Sequence, residues 1–546
     1  MDRTPEELLA LVRSSGFTPS ARDLPALFDL VAAADRDVAR MAIRSLARLG
    51  ALALPEAMTR FDDAVPPLRA RLCDLVAVLG EDLRDVTVGP WLLARLGDAD
   101  GVTRRRAALQ LGKRVTAWPH ERDLAEAALT QAFATTTDLA DRRALAEALG
   151  RLGSGQALKA LDAQPPAAAQ DALLEQRLTQ ARLRIEQREL RRVASTITLD
   201  APLGQPTAIL LHVRSGLEGM LLDELQAVPG LLTVPREVGA GRVRVMTTGT
   251  LRPLFAARTF MHLGFPIEFD SDPHDVVGSV VDALVMPSTQ ALFRSLTDGP
   301  VRFRINWAGG GQRRSDTRAV AERVVQAVPW LINDSTQAPW EVVVSEVVGK
   351  TGPRVFVELW PQKLVDPRFA YRKATMPASS HPTIAAALVR VAGCRAGDVV
   401  WDPFVGTGME LAERSLAGPY KQLFGTDVDP QAIAAAQENV ASAKAQRVTL
   451  TLQDARTFAP PLPLSLVITN PPFGRRVAVS EGVRELLEDV LGHAAALLGP
   501  QGRMAFITPR VHATEAVMLR AGLVRQQQLP VDVGGFSAHL ELWQRR

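Results

Sequence analysis

Two short motifs near the C-terminal end of the chain could do chemistry. Asn470-Pro471-Pro472-Phe473 follows the apolar run 464–469 (LSLVIT). Further upstream, the apolar run 398–401 leads into Asp402-Pro403-Phe404-Val405-Gly406-Thr407-Gly408. An exocyclic amino group on an aromatic base is a weak nucleophile, because its lone pair is delocalised into the ring. Two acceptors on its N–H bonds can hold it and turn the lone pair outward. The side-chain oxygen of Asn470 and the backbone carbonyl of Pro471 are such acceptors, since proline can only accept. The prolines stiffen the turn by fixing their own φ and restraining the residue before each. Phe473 offers a stacking face, worth about 1–3 kcal/mol per base. No general base is required if the electrophile is an activated methyl group, for which alignment does most of the work.

The Asp402–Gly408 stretch predicts strand, tight turn and helix, with the helix over 409–415. Gly406 and Gly408 permit unusual φ and close approach of backbone to a ligand. The turn falls at the carboxyl end of a strand, where open α/β sheets bind ligands. A G-x-G without its third glycine argues against a dinucleotide fingerprint. It suits the smaller, cationic S-adenosylmethionine, whose ammonium Asp402 could face. The next predicted strand, 422–426, ends at Asp427, a carboxylate placed to accept from ribose hydroxyls. Asp429 reads as an N-cap ahead of Pro430. The third strand, 448–452, is followed by Gln453-Asp454-Ala455, where Asp454 could accept the adenine amino group.

On these residues the segment 366–546 resembles class I S-adenosylmethionine-dependent methyltransferases, and more narrowly the THUMP-domain RNA guanine-N2 methyltransferases. Three further stretches carry the narrower resemblance. One is Tyr371-Arg372 with Met376 to Leu388 (MPASSHPTIAAAL). Another is Asn470 to Gly474 followed by Arg475, where the arginine comes directly after the glycine. The third is Val533-Gly534-Gly535 through Leu540, similar to the last hairpin of the family. The resemblance implies that Ala378, Ser379, Ser380 and His381 line the methionine end of the cofactor site. With them stand Asp402, Gly406, Thr407, Gly408, Asp427, Asp454, Ala455 and Asn470. Phe473 stands where the family usually has tyrosine.

Composition sets the bounds. At 546 residues the chain is too long for one domain. Charged residues are 23% and apolar residues 47%, which describes a folded protein rather than a disordered one. The two cysteines, Cys73 and Cys394, show no metal or disulfide spacing. With an opening that reads as no secretory leader, a cytoplasmic location is expected. No apolar stretch reaches the roughly 20 residues that span a bilayer, so no membrane association is expected, nor a metal. Net charge is +3, so any nucleic-acid surface must be local.

Residues 1–195 read as nearly all helical, with recurring text that ends in Leu-Gly: Leu49-Gly50, Leu79-Gly80, Leu111-Gly112 and Leu149-Gly150. This resembles a HEAT-like solenoid, with glycine predicted just past each helix end. Arg104, Arg105, Arg106, Arg142 and Arg143 either bind RNA or pair with acids of adjacent repeats. Such a surface could contact protein or RNA. Residues 205–270 predict strand-helix-strand-strand-helix-strand, a ferredoxin-like order. The strands are 207–213, 231–236, 242–246 and 260–269; the helices are 216–228 and 251–258. Residues 271–365 predict one helix over 275–296, a strand at 301–307, a helix at 316–328 and a hairpin. Together, 205–365 resembles the ferredoxin-like and THUMP module of the same family, which grips the acceptor end of tRNA. Arg302, Arg304, Arg313, Arg314, Arg318, Arg323 and Lys350 form local basic clusters. Arg313, Arg314, Lys350 and Arg475 are the expected RNA contacts.

The expected architecture is therefore multidomain: an all-α solenoid, an α+β module and an α/β Rossmann-like catalytic domain. The expected activity is S-adenosylmethionine-dependent methylation of guanosine N2 in RNA, with tRNA the first choice. Ribosomal RNA guanine, adenine N6, and a repeat scaffold bearing an inactive methyltransferase fold are the alternatives.

Overall fold

The computed structural model describes residues 3–14, 17–114, 119–163, 171–311, 313–349, 352–377, 379–472 and 481–546. The chain divides into two compact units, Met1–Ala194 and Ser195–Arg546.

The first unit is helical. Its longer helices are Arg36–Leu49, Pro66–Leu83, Gly101–Arg114, Arg122–Thr135, Leu139–Leu152 and Ala172–Arg192. Aspartates start several of them. The Asp35, Asp138 and Asp171 side chains accept from the first free backbone N–H groups of the helix that follows. Leu72, Leu79, Leu111, Phe133 and Leu149 are buried in one core.

The recurring glycines correct the expectation from sequence. Only Gly50 ends its helix, with φ of 56°. Gly80, Gly112 and Gly150 lie inside helices. A Cβ on Gly112 would sit 2.7 Å from the Cα of Ala148, and one on Gly150 would sit 2.8 Å from the Cα of Ala181. These glycines let neighbouring helices approach backbone to backbone. The arginine question resolves toward pairing. Arg104 and Arg105 meet Asp141 at 2.6 and 2.8 Å, Arg106 meets Asp74 at 3.7 Å, and Arg143 pairs with Asp171. Arg142 lies over the Phe133 ring at 5.1 Å.

The second unit holds two large sheets. The first has eight strands, in the order Arg236–Gly239, Arg242–Thr247, Thr207–Val213, Phe260–Ile267, Gly352–Pro361, Trp340–Gly349, Arg302–Trp307 and Ile332–Asn333. Segments 205–270 and 271–365 thus share one sheet, joined where Leu359 pairs with Phe265. Three predicted elements differ. The strand expected at 231–236 begins only at Arg236, and Leu231 makes an isolated bridge to Thr247. The helix expected at 251–258 is a single 3-10 turn, Arg252–Ala256. The helix expected over 275–296 is two, Val276–Val285 and Pro287–Leu296, bent by 59°. Pro287 has no N–H to continue the first helix and so opens the second. Among the described residues no single helix is long and apolar enough to cross a membrane.

The second sheet has seven strands, in the order Val448–Leu452, Gln422–Asp427, Val399–Asp402, Leu464–Thr469, Leu498–Thr508, Ser537–Arg545 and Leu523–Asp532. Ser537–Arg545 alone runs opposite to the other six strands. Alternation along the strands splits the core. Val400, Leu466, Ile468 and Ile507 share a cluster with Ile384 and Leu388 of helix Pro382–Ala392. Trp401, Val467 and Phe506 share another with Val490, Leu491 and Ala494 of helix Glu481–Leu497. Helices therefore cover both faces, as a parallel sheet requires.

Candidate active site

The strand Val399–Asp402 lies between Gln422–Asp427 and Leu464–Thr469, pairing with both in parallel. The chain leaves it first in one direction and later in the other, which opens a crevice at the carboxyl ends of these strands. The two sequence motifs meet there. Thr469 Oγ1 donates to Asp402 Oδ1 at 2.7 Å, both residues being fully buried. Asn470 therefore starts its turn beside the glycine loop.

Gly406 and Gly408 both hold positive φ, 48° and 78°. A Cβ on Gly408 would lie 3.2 Å from the Cα of Ala436, so glycine also lets helix Pro430–Ser442 come close. The Gly406 N–H donates to Asp427 Oδ2 at 3.0 Å, and the Asp429 N–H to Asp427 Oδ1 at 3.0 Å. Asp427 thus latches the loop to the tip of the second strand. Asp429 caps helix Pro430–Ser442, as expected.

Four buried polar atoms at these tips have no hydrogen-bond partner among the described residues: Asp402 Oδ2, Thr407 Oγ1, Glu410 Oε1 and Asn470 Oδ1. Buried polar groups are ordinarily satisfied, so a cluster of orphans marks a place built for a ligand. All four can accept a hydrogen bond, and two belong to carboxyl groups. Burial, and then the neighbouring Glu410, raises the Asp402 carboxyl well above the usual range. Burial likewise pushes Glu410 up to about 7. A cation placed here would relieve both.

The segment ahead of helix Pro382–Ala392 forms the facing wall. Ser379 Oγ donates to the Met376 carbonyl at 2.7 Å and shapes a local turn. Ser380 Oγ accepts from Asn470 Nδ2 at 2.7 Å. His381 caps the helix, its Nδ1 lying 2.8 Å from Thr383 Oγ1. Burial, with Arg214 and Arg372 nearby, lowers its imidazole to about 4, which keeps the ring neutral. Asn439, from helix Pro430–Ser442, fastens this segment to the glycine loop. Its Oδ1 accepts from the Lys373 and Ala374 N–H groups at 2.7 and 2.9 Å, and its Nδ2 donates to the Thr407 carbonyl at 2.9 Å. Sequence reading did not single out Glu410 or Asn439. Each looks like an ordinary helix residue until the fold brings its partners to it.

The remaining expected residues lie as follows. Pro471 is buried at the turn. Asp454 stands past the third strand tip, capping the 3-10 turn Ala455–Thr457 and pairing with Arg456 at 2.6 Å. Hydrogen bonds from Arg456 hold its carboxyl below the usual range. Ala455 is buried beneath it. Arg313 meets Glu346 at 2.6 Å and lies over the Trp307 ring at 5.1 Å, while Arg314 is exposed on the first turn of helix Arg314–Ala327. Two of the other basic residues are paired with acids, the first buried and the second part-exposed. Arg302 is buried 3.6 Å from Asp334, and Arg304 meets Glu341 at 3.0 Å. Ala378, Lys350, Phe473 and Arg475 lie outside the described residues.

Comparison with known proteins bears on this geometry. Residues 370–539 match the family described as UPF0020, RMKL-like, methyltransferase domain. The chain is 29% identical over 334 residues to tRNA (guanine(6)-N2)-methyltransferase of Thermus thermophilus, covering 59% of this chain and 94% of that protein. It is 26% identical over 152 residues to tRNA (guanine(10)-N2)-dimethyltransferase of Methanothermobacter thermautotrophicus, covering 28% of this chain and 45% of that one. The solved structure of TrmN from Thermus thermophilus superposes with a TM-score of 0.51 at 25% identity, covering 63% of this chain and 100% of that one. The seven-stranded sheet and its crevice thus form a methyltransferase domain.

Proposed function

We propose that this protein is an S-adenosylmethionine-dependent RNA methyltransferase, acting in the cytoplasm on the exocyclic N2 of a guanosine in tRNA. The observation that carries the reading is the buried, unpartnered Asn470 amide oxygen at the strand tip next to the Gly406 loop. Relatives whose names specify tRNA guanine-N2 methylation support the choice of acceptor.

The residues present fit the cofactor. Asp402 and Glu410 supply the anionic surroundings that a cationic ligand needs, and Thr407 adds a hydroxyl. Asp427 keeps lone pairs for ribose hydroxyls while holding Gly406. When bound, S-adenosylmethionine supplies an electrophilic methyl on a sulfonium. Asn470 and the Pro471 carbonyl then hold the two amino hydrogens and aim the nitrogen lone pair. The base reaches them only when flipped out of its stack. In this reading the eight-stranded sheet and its helices are the ferredoxin-like and THUMP-like module that grips RNA. Helices 1–195 are HEAT-like repeats that add a surface for protein or RNA.

The test is transfer of labelled methyl to unmodified tRNA transcripts, DNA and protein in parallel. Label in tRNA that digests to N2-methylguanosine is the expected result. Label confined to DNA or protein would end the reading.

A further inference from the structure

One face of the eight-stranded sheet carries a row of rings. Leu211, Leu263, Phe265, Val357 and Leu359 belong to the buried core, so alternation sends their neighbours to the other face. There Arg242, His212 and His262 stand opposite one another on three adjacent strands. His212 stacks on His262 with ring centroids 4.4 Å apart, and Trp360 lies 4.2 Å from His262 and 5.3 Å from His212. Gly264 makes the cluster possible. A Cβ there would run into Glu358 Oε1 and lie 2.8 Å from Trp360 Cδ1. Because position 264 has no side chain, the buried Glu358 reaches His212 Nε2 at 2.6 Å and fixes that ring.

His212 and Trp360 form part of the wall of a cavity of about 560 Å³. That volume admits a small ligand and not a duplex. Asp532 and Gly534, from the last turn of the methyltransferase domain, close another side. The two walls are tied, the Asp532 N–H donating to the Ser215 carbonyl at 3.0 Å.

Arg214 and Arg242 line the same cavity. Arg214 Nη1 donates to the Asp532 carbonyl at 3.3 Å, while its Nε is buried without a partner. Among the described residues neither guanidinium is bonded to a carboxylate. The acids of the cavity are engaged elsewhere: Glu358 holds His212, and Asp532 Oδ1 accepts from the Gly534 and Gly535 N–H groups at 2.7 and 2.9 Å. Trp360 Nε1 is also buried without a partner. Arg214 Nε, Arg242 and Trp360 Nε1 are thus donors left open beside ring faces. They suit a ligand with flat rings and acceptor oxygens. An acidic peptide would engage the arginines alone. Arg214 also lies near His381, the neighbour of Ser380 on the wall of the catalytic crevice.

The geometry points to a nucleotide subsite: the cavity takes one unpaired nucleotide of the substrate RNA, with its base against His212 and Trp360 and its phosphate at Arg214 and Arg242. Unpaired RNA is held in this way, by stacking on rings and by guanidinium groups. The inference rests on the RNA methyltransferase reading above and adds to it a second contact outside the catalytic crevice.

The experiment measures binding of an unmodified tRNA transcript to the full-length protein from about 50 to about 200 mM salt. Trp360→Leu is expected to weaken binding about tenfold with an unchanged salt slope, and Trp360→Phe to keep most of the affinity. Arg242→Gln is expected to reduce the slope of log affinity against log salt by about 0.7, the value for one phosphate on a single strand. Affinity for S-adenosylhomocysteine should stay within about twofold in all three. Trp360→Leu binding tRNA as tightly as wild type would overturn the subsite, as would Arg242→Gln with an unchanged slope. So would a Trp360→Leu protein that loses S-adenosylhomocysteine affinity in step with tRNA affinity. Polyglutamate binding that is lost in Arg242→Gln and kept in Trp360→Leu, with tRNA indifferent to both, would give the cavity to an acidic peptide instead. A wild type that methylates tRNA while the variants bind it unchanged ends the subsite alone. A wild type that neither binds nor methylates RNA ends the proposed function itself.

Discussion

Arg258 Nε lies 2.7 Å from Glu413 Oε2, and this pair joins the eight-stranded sheet's half of the second unit to the methyltransferase domain. Arg258 follows the 3-10 turn Arg252–Ala256; Glu413 is on the helix after the glycine loop. Glu413 is buried and also accepts from the Tyr371 hydroxyl at 2.5 Å. A second Arg258 nitrogen donates to the Arg368 carbonyl at 3.0 Å. The arrangement fastens both halves to the segment that carries Ser379, Ser380 and His381. Removing Arg258 leaves a buried carboxylate without its cation, a change that costs about 3–5 kcal/mol. Arg258→Met should therefore lower the denaturation midpoint sharply, and the double variant Arg258→Met/Glu413→Gln should recover part of the loss. Independent, additive effects in that cycle would contradict the coupling.

The internal glycines of the helical unit make a second prediction. Gly112→Val places side-chain atoms against the Ala148 backbone, where even a Cβ comes within 2.7 Å. Overpacking of this kind costs about 1–3 kcal/mol. Thermal unfolding of the full chain should show an earlier transition for the helical unit, and affinity for S-adenosylhomocysteine should be unchanged. A helix-end role for Gly112 would instead predict that Gly112→Asn, which tolerates left-handed φ, is harmless. Inside the helix, Asn is as crowded as Val.

Acid sensitivity follows from two histidines. Burial, and then His212, lowers His262 to about 3, and burial with Arg214 lowers His381 to about 4. His262 is stacked against His212 at 4.4 Å and lies 4.2 Å from Trp360. In the unfolded chain both rings titrate near the ordinary value of about 6.5. Between that value and the folded one, the unfolded state binds more protons. Stability is therefore whole above about pH 6.5 and declines as pH falls toward about 4 and then about 3. Midpoints measured from about pH 7 to about pH 5 should fall, and His262→Phe should flatten the slope relative to wild type. A slope unchanged by His262→Phe would contradict the buried neutral ring.

Much of the catalytic sheet could be read ahead of the structure, for a physical reason. Buried parallel strands are short apolar runs, and here each ends on a residue that cannot be part of the run: Asp402, Asp427, Asn470. The glycine loop announces itself because positive φ demands Gly406 and Gly408. The same local logic placed the Gly352–Pro361 hairpin and the cap at Asp429. It misread Gly80, Gly112 and Gly150, because a glycine that ends a helix and one that admits a neighbouring helix look alike until the neighbour is known. It joined Val276–Val285 to Pro287–Leu296 because apolar periodicity runs through the break that Pro287 imposes. Ser380 and Asn439 act through partners far off in the sequence, Asn470 for Ser380 at a separation of 90 and Thr407 for Asn439 at a separation of 32. No local pattern encodes that.

The central claim is that the Asn470 turn holds a guanine amino group for methyl transfer. The most direct measurement is nucleoside analysis of tRNA incubated with S-adenosylmethionine and either wild type or Asn470→Ala, with cofactor affinity measured on both. The account predicts N2-methylguanosine with the wild type, a loss of roughly 100-fold or more in kcat with Asn470→Ala, and cofactor affinity within about twofold. Equal formation of N2-methylguanosine by the two proteins would contradict it.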